Sequence, residues 1–201
     1  MASGGVWSRT LESLAESRAV RIRAFRVAET CGNPMVNTRL LLVRDDSVAS
    51  RRAVKYVGKF VGKRRTFRIC LVHVLPPLPP ELLEHGGSEN PAKEAELEAE
   101  LKVGQHRWIS AAKKASQKGL HEDRVVLRKA GISARTVKAS FCEPGEGRGA
   151  ADAILHMARG RRCRTVVVGR QSVSWFHELF SHDLSEELLR RGKGFCVWAV
   201  E

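Results

Sequence analysis

Five short apolar runs, each separated from the next by a stretch with helical spacing, constrain this chain more than any other feature. They lie at residues 40–43, 68–74, 137–142, 165–168 and 195–200. A strand with one wet face alternates apolar and polar residues, whereas a run apolar at successive positions is covered on both faces. Between the runs, Ala53, Val54, Val57, Phe60 and Val61 recur at helical spacing. Residues 91–129 are helical in composition, with a break expected near Gly119, and 150–158 and 184–191 read as two further helices. The order β-α-β-α-β-α-β-α-β predicts an α/β fold: a doubly wound, five-stranded parallel sheet with helices on both faces and right-handed crossovers. Pro76-Pro77-Leu78-Pro79-Pro80 ends the second run, because proline continues neither strand nor helix. Residues 1–37 read as a separate N-terminal extension, partly helical or disordered. Trp7, Leu11, Leu14, Val20 and Phe25 there suggest an imperfect helix that Cys31-Gly32-Asn33-Pro34 breaks. The folded domain is expected over 38–201.

The chain has 201 residues, enough for one buried core, and 43% are hydrophobic, which excludes wholesale disorder. The apolar runs are too short to span a bilayer and no signal-peptide pattern opens the chain, so a cytoplasmic protein without membrane contact is expected. Its five cysteines, Cys31, Cys70, Cys142, Cys163 and Cys196, are scattered and contain no C-x-x-C pair. They read as buried reduced thiols.

The net charge is +13, but it is uneven. Residues 81–100 hold seven glutamates against Lys93 and carry −6, which leaves +19 elsewhere. The densest basic clusters span 63–68, 159–164 and 190–193, each after a helix and before a strand. In a parallel sheet those junctions share one edge, where cations complement the C-terminal ends of helix dipoles. The same edge would offer a positive field to nucleic acid. Phe67 is the only aromatic within the clusters, so binding would be phosphate-led, sequence-independent and salt-sensitive rather than built on base stacking.

Ligands of such folds sit at the opposite edge, at the C-terminal ends of the strands. The residues there are Asp45, Asp46 and Ser47; His73, Val74 and Leu75; and Gly169, Arg170, Gln171 and Ser172. Several standard sites are missing. Gly58 and Gly62-Lys63 lack P-loop spacing, and no G-x-G-x-x-G follows the first strand. Gly145-Glu146-Gly147-Arg148-Gly149 opens a helix but reads as a plain flexible turn. The seven histidines show no zinc-like spacing, and no serine or cysteine nucleophile is framed by a base. No enzyme, metal or resident cofactor is expected from these residues.

The wording of the pieces resembles the universal stress protein family over about residues 38–201. Residues 40–53, with Asp45-Asp46-Ser47, look like its first strand, its V-D-x-S turn and the following helix. Cys70-Leu71-Val72-His73-Val74 is similar to its second strand. Thr165-Val166-Val167-Val168-Gly169-Arg170 resembles its fourth strand and the start of its phosphate loop. Residues 184–190 resemble the helix that follows, and 195–200 take the place of its closing strand. The resemblance implies an adenine nucleotide α-hydrolase-like fold, with Asp45 and the backbone near Val74 beside an adenine. Family members that bind ATP carry G-x-x-G, nine residues, then G-[ST]. Here those positions hold Gly169, Ser172, His182 and Asp183, so one glycine survives. Gly169 could take a left-handed turn beside a phosphate. Asp183 would cap the following helix, with Glu186 three residues on, and occupy amides that a phosphate would use. A phosphate charge some 5 Å from it would meet repulsion of roughly 3 kcal/mol at an effective dielectric near 20. The resemblance thus implies a non-enzymatic stress-response or regulatory protein with a decayed ATP site. An adenine-nucleotide sensor or slow ATPase, taking ATP or AMP, is the alternative, and a basic nucleic-acid-binding module is the third reading. It also implies a homodimer through strand 195–200 and a regulatory protein partner.

Overall fold

The computed structural model describes residues 38–62, 64, 66–84, 86–144, 149–170 and 184–201. The strands are β1 (Arg39–Arg44), β2 (Arg68–Val74), β3 (Val137–Cys142), β4 (Thr165–Gly169) and β5 (Cys196–Val200). The helices are α1 (Val48–Val61), α2 (Pro91–Lys129), α3 (Ala150–Gly160) and α4 (Leu184–Arg191). All pairings are parallel and the strand order is β3-β2-β1-β4-β5. The expected α/β architecture is therefore present, with the order reversing between β1 and β4.

Both faces of the sheet are covered, which is why the strand runs are continuously apolar. Leu41, Val43, Cys70, Val72, Val74, Val166 and Val168 face Ile154, Leu155 and Leu188 of α3 and α4. Leu40, Leu42, Ile69, Leu71 and Val167 face Val54, Val57 and Val61 of α1 and Leu120 and Leu127 of α2. β5 forms one sheet edge. Its Trp198 is half-buried, edge-on to Phe60 with ring centroids 4.9 Å apart.

Local chemistry sets the helix ends. The Ser47 hydroxyl accepts from the Ser50 amide at 3.1 Å and caps α1, and Gly62 leaves that helix at φ 49°. Asn90 accepts from the Ala92 amide at 3.0 Å and caps α2, with Pro91 at the first helical position.

One sequence expectation fails here. α2 runs unbroken through Gly119 for 39 residues. Glycine disfavours a helix interior by about 1 kcal/mol. The position holds glycine for space: a Cβ on Gly119 would lie 2.9 Å from Arg44 Nη2. Gly104 plays the same part further up, where a Cβ would lie 2.9 Å from Leu82 Cδ2. The proline-rich segment after β2 lies along α2 at that point, and Gln105 Nε2 donates to the Leu82 carbonyl at 2.8 Å.

The described residues of the three basic clusters lie at the C-terminal ends of helices and on the stretches that lead into β2, β4 and β5. No helix among the described residues is long and apolar enough to cross a membrane. The expected helix in 1–37 and the turn at 145–148 lie outside the described residues.

Candidate functional site

The C-terminal ends of β1, β2 and β4 bring together Asp45, Val74 and Gly169, as the sequence predicts for the ligand edge. Ser172, His182 and Asp183 lie outside the described residues. Asp45 sits in the turn between β1 and α1, where its Oδ1 accepts from the Ser47 amide at 2.9 Å. This is the local turn contact that an aspartate makes with a backbone two residues on. The Asp45 carbonyl accepts from the Ser50 hydroxyl at 2.7 Å, which ties the turn to α1. Val74 closes β2 with a fully buried side chain, and the next amide, Leu75 N, donates to the Cys142 carbonyl at 2.9 Å.

Gly169 corrects a second expectation. Its φ is not positive, so it makes no left-handed turn. A Cβ there would stand 2.3 Å from the Ala49 carbonyl carbon and 2.6 Å from the Ser50 nitrogen. Glycine at this position lets the end of β4 touch the first turn of α1 backbone to backbone.

Arg170 follows, its amide donating to the Val200 carbonyl at 2.7 Å. Its guanidinium lies 3.2 Å from Glu201 and 3.8 Å from Glu186 in the first turn of α4. Glu187, also in that turn, pairs with Arg191 at 2.8 Å. The helix terminus facing this edge thus carries two carboxylates.

Beside these residues lies a buried polar group that the strand-end reading missed. Arg44, the last residue of β1, is 3% exposed. Its Nε donates to Asp123 Oδ2 of α2 at 2.5 Å, and Nη1 lies 3.4 Å from Ser50 Oγ and 3.5 Å from Asp46 Oδ1. Burial raises the Asp123 pKa above the ordinary aspartate value, against the lowering influence of Arg44. His73 is Arg44's partner in the β1–β2 register and is buried, with no hydrogen-bond partner for Nδ1. Burial lowers its pKa, and Arg44 adds to that, while Asp46 and Asp45 oppose it. The imidazole is therefore neutral at pH 7. A sequence signal for Asp123 does exist: Ser116, Leu120, Asp123 and Leu127 form the buried stripe of α2, so an acid occupies a core position.

A groove of about 550 Å³ lies elsewhere, between α2 and the edge strand β3. Lys118, His121 and Arg124 line it together with Phe141, and it contains none of the predicted site residues. No cluster of three or more potential metal ligands occurs among the described residues.

The domain is a doubly wound α/β fold whose strand order reverses between the paired strands β1 and β4. The sequence model of the universal stress protein family matches residues 37–194, and the chain belongs to that family. Solved structures agree in fold. A universal stress family protein from Burkholderia pseudomallei superposes with a TM-score of 0.54 at 14% identity, covering 83% of this chain and 98% of its own. The hypothetical protein MJ0577 gives 0.52 at 13% identity, over 82% and 95%. A universal stress protein in complex with cAMP gives 0.50 at 15% identity, over 82% and 97%. At such identities the likeness concerns the fold alone. No curated protein matches the chain.

Proposed function

We propose that this chain is a non-enzymatic, regulatory universal stress protein of the cytoplasm whose adenine-nucleotide site no longer holds a triphosphate. The observation that carries the reading is the charge at the phosphate end. The first turn of α4 presents Glu186 and Glu187, and Arg170, at the end of β4, lies against Glu186 and Glu201. His182 and Asp183 replace the G-[ST] of the ATP-binding pattern just ahead of that helix. Carboxylates at a helix N-terminus take the place an anionic ligand would use. Equilibrium titration with labelled ATP and Mg²⁺ tests this. No saturable binding below about millimolar ATP is expected, equivalent to under roughly 4 kcal/mol. Micromolar binding that vanishes in Asp45→Ala would overturn it, as would ATP hydrolysis by the purified chain. Replacing His182 by Gly and Asp183 by Ser should raise ATP affinity.

A second reading keeps the adenine end alone. Asp45, Val74, Gly169 and Ser172 would hold an adenosine monophosphate with its phosphate placed differently, and the solved complex of a fold neighbour with cAMP supports it. Saturable binding of AMP or cAMP without ATP competition would favour this form. The chain would act as a homodimer through β5, an edge strand apolar on both faces, with a regulatory protein as partner. Sedimentation equilibrium of wild type against Val197→Glu tests the dimer. The nucleic-acid reading fails if generic duplex does not bind at low salt.

A further inference from the structure

At the sheet edge away from β5, strand backbone meets the groove beside α2. β3 pairs with β2 alone and is the least covered of the five strands, with Lys138 and Ala139 exposed and Ser140 and Phe141 half-buried. Its outward backbone groups can be assigned. The Leu75 amide donates to the Cys142 carbonyl at 2.9 Å, and Cys142 stands opposite Val74 in the register. In a parallel ladder the amide and carbonyl of one residue turn to the same neighbour, and successive residues alternate sides. Lys138, Ser140 and Cys142 therefore bond to β2, whereas Ala139 and Phe141 turn their amides and carbonyls to the open edge. Among the described residues, nothing outside the sheet ladder bonds to either of them.

The groove of about 550 Å³ lies along this edge. Leu120, Ala139 and Phe141 give it an apolar lining, and Lys118, His121 and Arg124 of α2 give it charge. Steps of three residues place those last side chains on one helix face. All three residues are exposed, and none forms an ion pair among the described residues. The acids close by do not neutralise them. Asp123 is turned inward to Arg44, Glu143 just past β3 holds Lys113 at 2.6 Å, and exposed Glu122 pairs with none of the three.

Free strand backbone on one side and unpaired cations on the other suit an extended chain with acidic side chains. Main-chain bonds give such a ligand its affinity and alternate side chains its selectivity. Lys118 to Arg124 spans about 9 Å of helix, and alternate residues of a strand stand about 7 Å apart. Acids at alternate positions can thus meet both ends of the row. A second copy's glutamate-rich stretch cannot serve, because Glu94, Glu96, Glu98 and Glu100 are wound into α2. Nucleic acid fits less well: a phosphate backbone has no donor for the outward carbonyls, and a base would find little beyond Phe141 to stack on.

We propose that the β3 edge and the α2 face beside it bind an acidic, extended segment of a partner protein, which adds to the sheet as a further strand. The site uses neither the crevice residues nor β5, so it stands apart from the nucleotide reading and from the β5 dimer.

The probe is a fluorescein-labelled peptide of alternating glutamate and valine, about eight residues long, titrated by anisotropy against the full chain at low salt. Saturable binding that weakens with added salt is expected. Hydrogen exchange should slow at the Ala139 and Phe141 amides in the complex. Lys118→Glu with Arg124→Glu, a reversal at two exposed positions, should weaken binding at least about tenfold and shift the preference to a lysine–valine peptide. The glutamate–valine peptide N-methylated throughout keeps its charge but lacks backbone donors, and should not bind the native chain. Equal binding by the reversed variant or by the methylated peptide, protection confined to other strands, or no saturation by about millimolar peptide would overturn the proposal. So would a single-stranded oligonucleotide that binds the groove more tightly than the peptide.

Discussion

Removing the carboxylate of Asp123 while keeping its shape, in Asp123→Asn, strands the Arg44 guanidinium inside the domain. The two side chains are 4% and 6% exposed, so little water can replace the lost partner. Asp46 is a poor substitute: its carboxylate is 70% exposed and 3.5 Å away, and such a pair is worth about 0–1 kcal/mol. Ser50 Oγ, at 3.4 Å, is neutral. The loss should therefore fall in the range for half of a buried pair, about 3–5 kcal/mol. For a domain of this size that lowers Tm by roughly 6–20 °C. The double variant Arg44→Met, Asp123→Leu should return to within about 1 kcal/mol of wild type or exceed it, since a packed apolar pair needs no desolvation of charge. Urea unfolding at pH 7.5, run as a double-mutant cycle, reads both numbers. Gly119→Ala supplies an independent check. In wild type its Cβ presses on Nη2 and should destabilise; in the Arg44→Met background the helix gains about 1 kcal/mol and the sign reverses. A loss under about 1 kcal/mol in Asp123→Asn, or the same sign for Gly119→Ala in both backgrounds, would refute the reasoning.

Gly169→Ala should lose more than about 3 kcal/mol, or fail to express folded, because its Cβ meets backbone rather than a movable side chain; circular dichroism melts would show it. Arg162→Gly should raise stability by about 0.5–1 kcal/mol in the same melts by relieving the left-handed position. His73 has a lowered pKa, so the unfolded chain binds its proton more tightly. Its contribution is present above pH 6.5 and is lost as pH falls from there towards the folded pKa. The raised pKa of Asp123 works with the opposite sign, favouring the folded state as that group takes up its proton. Comparing urea midpoints of wild type and His73→Leu between pH 7.5 and 5.5 isolates the histidine, and parallel curves would refute its role.

The architecture was legible because burial on both faces writes itself into sequence as runs such as Leu40-Leu41-Leu42-Val43. Asp45, Val74 and Gly169 could be placed because ligand edges of parallel sheets are set by strand direction. What spacing could not supply was contact across the fold. Gly119 reads as a break until Arg44 is seen filling the space above it. Gly169 reads as a glycine kept for a left-handed turn until Ala49 is found against it. Arg44 closes a strand with nothing in the sequence to mark it as buried, and its contact with Asp123 of α2 reveals that it is.

The unbroken α2 has a mechanical consequence. At about 1.5 Å per residue its 39 residues span roughly 58 Å, whereas strands of five to seven residues span about 17–23 Å. Its buried positions begin only at Ser116, and Gly119 already stands level with the end of β1. The helix therefore overhangs the crevice edge by roughly 37 Å, braced near Gly104 by the proline-rich segment. Were such a rod to turn by about 5° about the Arg44–Asp123 joint, its glutamate-rich end would move through some 3 Å, and the contacts at Gly104 and Gln105 oppose that movement.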